Sequence, residues 1–208
     1  DEPMLIQGKL RNAIDRVFTK TSVPDVIAAL EAEQEGELKE WAEKTLATIH
    51  QRSPTSLYVT LRQMQLGRKW SISETFLREH QMAGKFMRHP DFTEGVSALL
   101  IRKDGKPVWQ PASLEDVKPE DNIADPFFQV EGAERMSLLN DRDYREYPNR
   151  ALGLPQDAEV EELVKKTPAS RKAIINQFVK SRKGKQGVKE VVEEVLARKT
   201  KVDTNNKA

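Results

Sequence analysis

Leu38, Trp41, Ala42, Thr45, Leu46 and Ile49 recur at intervals of three and four residues. That spacing gathers them on one side of an α-helix, whereas a strand would scatter them over both faces. A helix with one apolar stripe needs an apolar partner, so one stripe implies others. Leu10, Ala13, Ile14, Val17 and Phe18 repeat the pattern upstream. Val26, Ile27 and Leu30 form another stripe, opened by Ser22, Pro24 and Asp25. A hydroxyl can cap the first amides there, and proline suits the first turn. Ser53-Pro54 is the same kind of start, followed by Leu57, Leu61 and Met64 with Tyr58 and Thr60 flanking, and Gly67 is placed to end that helix. Ser73 is expected to open a fifth helix, buried through Phe76, Leu77, His80, Ala83, Phe86 and Met87 until Pro90 stops it. Asp91 and Glu94 have the spacing of a capping box for a short helix carrying Val96, Leu99 and Leu100. Asp104-Gly105 reads as a turn, and Pro107 to Pro111 as an extended segment anchored by Trp109. No strand pattern of any length and no internal repeat occurs. The expected class is mainly α, with Trp41, Leu46, Leu57, Leu61, Phe76 and Phe86 meeting in one cluster.

The character changes near Lys118. Residues 118–158 are rich in Pro, Asp, Asn and Arg, and their apolar residues come singly or in pairs, such as Phe127 with Phe128 and Leu138 with Leu139. Three parts are expected: a helical block over 1–117, an irregular arm over 118–164, and a basic helical tail over 165–208. Thr167-Pro168 is expected to start one short tail helix, with Ile174, Ile175, Phe178 and Val179 as its apolar side. Val188, Val191, Val192, Val195 and Leu196 mark a second. Lys165, Lys166, Arg171, Lys172, Lys180, Arg182, Lys183, Lys185 and Lys189 fall in this tail with no acid between them. The whole chain carries only +1, so nine charges here leave a net −8 for the rest. A near-neutral total hides a sharp asymmetry. These nine residues are the candidate RNA contacts, along the phosphate backbone and without base readout, against the alternatives of a solvated tail or one docked on acidic protein.

Few chemistries fit. There is no cysteine, which removes disulfides, thiolate catalysis and cysteine-held metals. A charged fraction of 32% and mean hydropathy of −0.66 place the chain on the polar side of globular proteins, and no run is long enough to span a membrane. His50, His80 and His89 pair with nothing at a metal-ligand spacing, so no metal is expected. Ser53, Thr55 and Ser56 stand where hydroxyls cap helices, and no base is suggested beside them. No glycine-rich phosphate loop appears, and no bound cofactor or catalytic residue is expected of this stretch.

The string SPTSLYVTLRQ at 53–63 closely resembles a segment of the 3-hydroxyisobutyryl-CoA hydrolases, a branch of the enoyl-CoA hydratase/isomerase (crotonase) superfamily. RHPDFTEGVSALLIRKDGKPVWQPASLEDV at 88–117 resembles a C-terminal signature of the same family. The resemblance implies the helical C-terminal portion of a crotonase-type fold, beginning in the middle of a family sequence. The catalytic carboxylate and the oxyanion-hole amides then lie in an upstream spiral core, which is an expected partner. Arg102 and Lys103 become candidate contacts for CoA phosphates, against the alternative of plain solvated charge. Ser97 departs from the family pattern, in which arginine is common, so any charge role there is lost. Residues 118–158 resemble, less specifically, the longer ends of fungal members. Two roles follow from the family. One is a mitochondrial acyl-CoA thioesterase of valine breakdown. The other is a structural component of the mitochondrial small ribosomal subunit, in the matrix, meeting ribosomal proteins and rRNA and no membrane. The arm and the basic tail favour the second.

Overall fold

The computed structural model describes residues 4–130, 136–167 and 169–201. They hold ten α-helices, a π-helical turn and two 3-10 turns, and no strand among the described residues. The chain forms two compact units, Arg16–Glu146 on the one hand and Asp1–Asp15 with Tyr147–Ala208 on the other.

The larger unit contains the end of α1 (Gly8–Phe18), then α2 (Val23–Glu33), α3 (Lys39–His50), α4 (Pro54–Gly67), α5 (Ile72–Phe86), α6 (Pro90–Val96) and the short α7 (Asp125–Phe128). Val17, Val26, Leu30 and Leu46 form its first core, with Ile27, Trp41 and Ile49 packed against them; these are among the residues the stripes of α1, α2 and α3 indicated, whereas Phe18, on the same α1 stripe, is exposed. Ser22 caps α2 through a hydrogen bond from the Asp25 amide, and Ser53 caps α4 through one from Ser56.

The second core departs from expectation. Val59, Met82, Ala124 and Phe127 are its centre, with Tyr58, Trp70, Phe86 and Phe128 around it. The residues expected to form one cluster are therefore divided. Trp41 and Leu46 belong to the first core and Phe86 to the second, Leu57 and Leu61 are half-buried outside both, and Phe76 is 54% exposed. Helices α4 and α5 carry apolar residues on more than one side, and partners choose which side is covered. That partner is α7, whose Phe127 ring lies 4.4 Å from that of Phe86. Gln81, buried on α5, donates its side-chain amide to the carbonyls of Phe127 and Gln129, and Arg62 on α4 pairs with Asp125. Helix α5 also begins earlier than expected. Ser71, not Ser73, is its cap, in a reciprocal pair with Glu74.

The smaller unit is built from α8 (Asp157–Lys166), α9 (Arg171–Ser181) and α10 (Val188–Lys199). Val160, Ile174, Phe178, Val188, Val192, Val195 and Leu196 are its core. The stripes of α9 and α10 are as expected, whereas α8 occupies residues read as irregular. Its signal is present in the sequence: Asp157 and Glu159 in the first turn, Val160, Leu163 and Val164 on one side, Lys165 and Lys166 in the last turn. Thr167 ends α8 instead of starting the next helix, Ser170 caps α9, and Pro168 lies outside the described residues.

Leu30 is fully buried in the first core and Met64 on α4 is 67% exposed. Leu30→Ala is expected to cost roughly 2–5 kcal/mol, and Met64→Ala no more than about 0.5. Urea midpoints of the two variants check this. Coincidence of the Leu30→Ala midpoint with that of the unaltered chain would refute the assigned core.

Candidate functional site

In the larger unit the two family-like sequence blocks meet at one carboxylate. Asp91 is 5% exposed. Its Oδ2 accepts a 2.5 Å hydrogen bond from the Ser53 hydroxyl, which in turn caps α4. Its Oδ1 accepts from the Gln110 amide at 2.8 Å. The start of α4, the start of α6 and the extended segment at 108–111 are thereby tied to two oxygens. Trp109 lies beside this joint and donates its indole N–H to the Gln51 carbonyl. A Cβ at Gly95 would come within 3.2 Å of the Trp109 ring, so glycine lets that ring close on α6. The expected capping box of Asp91 and Glu94 does not form. His89 is the cap, its Nδ1 accepting from the Asp91 amide. Asp91 is drawn inward because it can satisfy more donors there than an exposed cap could.

Arg102 follows the π-helical turn Ser97–Ile101. Its guanidinium donates to Glu94 at 2.7 Å, to Asp104 at 2.9 Å and to the Ser97 hydroxyl at 2.8 Å. Hydrogen bonds from Arg102 and from the Val108 amide hold the Glu94 carboxyl below its ordinary pKa. Glu94 is thus a fastener for the 94–108 turn, with its lone pairs engaged. Lys103 is exposed in a left-handed conformation, φ 57°. Of the two candidate CoA contacts, the fold engages Arg102 internally and leaves Lys103 open. Serine at 97 gives Arg102 an acceptor where an arginine would set a second positive charge. Around this corner Leu99, Leu100 and Ile101 are exposed.

In the smaller unit the carboxylates and cations sort themselves. The Arg198 side chain, 1% exposed, donates to Glu194 at 2.7 Å and to Asp157 at 2.8 Å. Lys199 bridges Glu161 and Asp157, and Arg11 stands 3.8 Å from Asp157. Burial disfavours the charged forms of Asp157 and Glu194, but the hydrogen bonds and field of Arg198 outweigh it and hold both pKa values low. Sequence reasoning overlooked this network, which joins residues far apart in the chain. Among the nine candidate RNA contacts, Arg171 donates to the carbonyls of Leu196 and Thr200, and Arg182 pairs with Glu159 at 3.1 Å. Lys166 pairs with Glu162, and Lys189 lies 3.9 Å from Glu193. Lys165, Lys172, Lys180, Lys183 and Lys185 are exposed.

Among the described residues no group of three metal-capable side chains is placed to hold an ion, and no helix is long and apolar enough to cross a membrane. Asp91 thus draws the two family-like blocks of the larger unit together. The family model for enoyl-CoA hydratase/isomerase matches residues 2–128, and the chain belongs to that family, as a helical portion of a crotonase-type fold. Small ribosomal subunit protein mS47 of Neurospora crassa is 48% identical over 205 residues, covering 95% of this chain and 40% of the relative. The protein of the same name in Schizosaccharomyces pombe is 37% identical over 122 residues, 58% of this chain and 28% of the relative. The 3-hydroxyisobutyryl-CoA hydrolase, mitochondrial, of Gallus gallus is 40% identical over 115 residues, 54% of this chain and 29% of the relative. The chain thus spans well under half the length of each of these relatives.

Replacing Asp91 by alanine leaves the Gln110 amide and the Ser53 hydroxyl without their acceptor, and should destabilise the larger unit by about 3 kcal/mol. Asp91→Asn should cost less, because one oxygen remains. Chemical denaturation orders the three chains, and equal stability of Asp91→Ala and the unaltered chain would contradict the joint.

Acid should act on the smaller unit. Carboxyls with lowered folded-state pKa values contribute stability above the unfolded-state range of about 4, and it is lost as pH falls through the lower folded values. Amide exchange in α8 and α10, followed from about pH 6 to about pH 3, should show protection falling at the acid end. Protection unchanged over that range would disprove the role given to Asp157 and Glu194.

Proposed function

We propose that this chain is the helical C-terminal portion of a 3-hydroxyisobutyryl-CoA hydrolase-like protein that serves as a structural component of the mitochondrial small ribosomal subunit. The observation that carries this reading is the extent of the matches. The S. pombe ribosomal protein and the chicken hydrolase align over similar shares of the chain at 37% and 40% identity, so the family block alone does not separate the two roles. The Neurospora ribosomal protein aligns over 95%, which takes in most of the residues beyond 128, where the family model ends. Those residues include the basic, acid-free segment from Lys165 to Lys189.

The mitochondrial matrix is the compartment that fits, given a mitochondrial relative on the enzymatic side of the family. Two contacts are proposed. The exposed Leu99, Leu100 and Ile101 are suited to lie against an upstream crotonase core of the same protein, since a run of large apolar side chains in water marks an interface. The basic segment of the smaller unit, α9 and the turn that follows it, meets rRNA and neighbouring ribosomal proteins. A second reading is compatible with the first. The 40% identity to a hydrolase in the family block leaves room for thioesterase activity in the full-length protein, with Lys103 available to a CoA phosphate.

Gradient sedimentation of a mitochondrial lysate tests the main reading. The protein should travel with the small subunit and stay there after a wash at moderate salt. Recovery only in the free-protein fractions would overturn it. Turnover of 3-hydroxyisobutyryl-CoA by the full-length protein in washed small subunits separates the joint role from the purely structural one.

A further inference from the structure

The structure assigns the nucleic-acid contact of the tail to four lysines, Lys172, Lys180, Lys183 and Lys185, and to one kind of partner, an RNA strand held by its phosphates. The inference rests on the ribosomal reading of the chain and narrows its site. Nine cations lie between Lys165 and Lys189, and the fold disposes of most of them. Arg171 is engaged by carbonyls at the end of α10. Arg182, Lys166 and Lys189 face carboxylates, and Lys165 lies on another helix, in the last turn of α8. The other four are exposed, and none has a carboxylate partner among the described residues. Helix α9 contains no acid; on α8 and α10, Asp157, Glu159, Glu161 and Glu194 pair with Arg198, Arg182 or Lys199, Glu162 and Glu193 pair with Lys166 and Lys189, and Glu190 is exposed.

Chain geometry puts the four together. Lys172 and Lys180 are eight residues apart on α9, which sets them about 80° apart around its axis and so on one side. Ala173, Asn176 and Gln177, also exposed, are small or amide residues without charge. The helix then ends in a paired hydrogen bond, the Gly184 amide to the Val179 carbonyl and the Lys183 amide to Lys180. Lys183 and Gly184 take left-handed φ values of 52° and 69° there. Lys183 and Lys185 therefore stand at the end of the helix that carries the other two, over roughly 16 Å from Lys172 to Lys183. A Cβ at Gly184 would meet nothing within 4 Å, so the turn is open to close approach.

The rest of this face decides between an RNA and an acidic protein. The centre of a protein interface is apolar and often aromatic. Here Ile174 and Phe178 are buried in the unit's own core, and lysine, alanine and amide side chains are what remains outside. Lysine, asparagine, glutamine and backbone amides are phosphate-binding groups. With no aromatic on this face, the bases go unread.

The full chain, titrated with a fluorescent 20-nucleotide mixed-sequence RNA, provides the test. Four phosphate contacts on a single strand predict a slope near 3 in log affinity against log salt, or about a 50-fold loss between about 50 and about 200 mM. Lys172→Gln, Lys180→Gln, Lys183→Asn and Lys185→Gln combined should bring the slope close to zero. Asparagine tolerates the left-handed position, and unchanged helical circular dichroism verifies that the variant is folded. Lys165→Gln, Lys166→Gln and Lys189→Gln combined should keep nearly the full slope. The assignment fails if the fourfold variant keeps its slope, or if the threefold control loses as much. Tighter binding to polyglutamate than to RNA would also overturn it, in favour of an acidic protein. The ribosomal reading is judged separately by the gradient, where absence from small-subunit fractions defeats it whatever the slope.

Discussion

Two oxygens of one buried carboxylate hold the larger unit's most distinctive corner. Asp91 accepts from the hydroxyl that caps α4 and from the amide that positions the 108–111 segment. A carboxylate taken out of water is costly unless its lone pairs find donors, and here both oxygens do. Trp109 beside Gly95, and Glu94 fastened to Arg102 and Val108, depend on that arrangement. The two sequence blocks that resemble the hydrolases are the two sides of this joint. Packing accounts for Ser53, Asp91 and Gln110 at this joint.

The smaller unit obeys a different constraint, the matching of charges. Arg198 collects carboxylates from α8 and α10 in a nearly dry position, and Arg182 takes another. Charge pairs of this kind contribute through geometry and desolvation together, so a partner's loss is felt more than the pair's presence. Their consequence for function lies in what is left over. With most of the acids of α8 and α10 in ion pairs, α9, which has no acid of its own, presents a positive face.

Both units fit a protein whose surfaces are made for others. The larger unit exposes Leu99, Leu100 and Ile101 in sequence, and the smaller exposes lysines without acids. An apolar surface suits a protein core, and a cationic one suits phosphate.

The sequence by itself determined the helical class, the family, the first core and the apolar sides of α9 and α10, because a 3.6-residue stripe is a local property. It also carried the caps at Ser22 and Ser53, where a hydroxyl needs only the next three residues. Helix α8 is legible in its end charges and its Val160 stripe, although the composition around it is that of an irregular segment. Tertiary structure decided the rest. Which side of α4 and α5 is buried depends on Phe127, brought in from a segment some forty or more residues away. Whether Asp91 caps a helix or ties three segments depends on donors from Ser53 and Gln110. Which of nine cations remain available depends on where Glu159, Leu196 and Thr200 come to lie. Such long-range pairings have no period in the chain, since the energy of each depends on distance in space and not on separation in sequence.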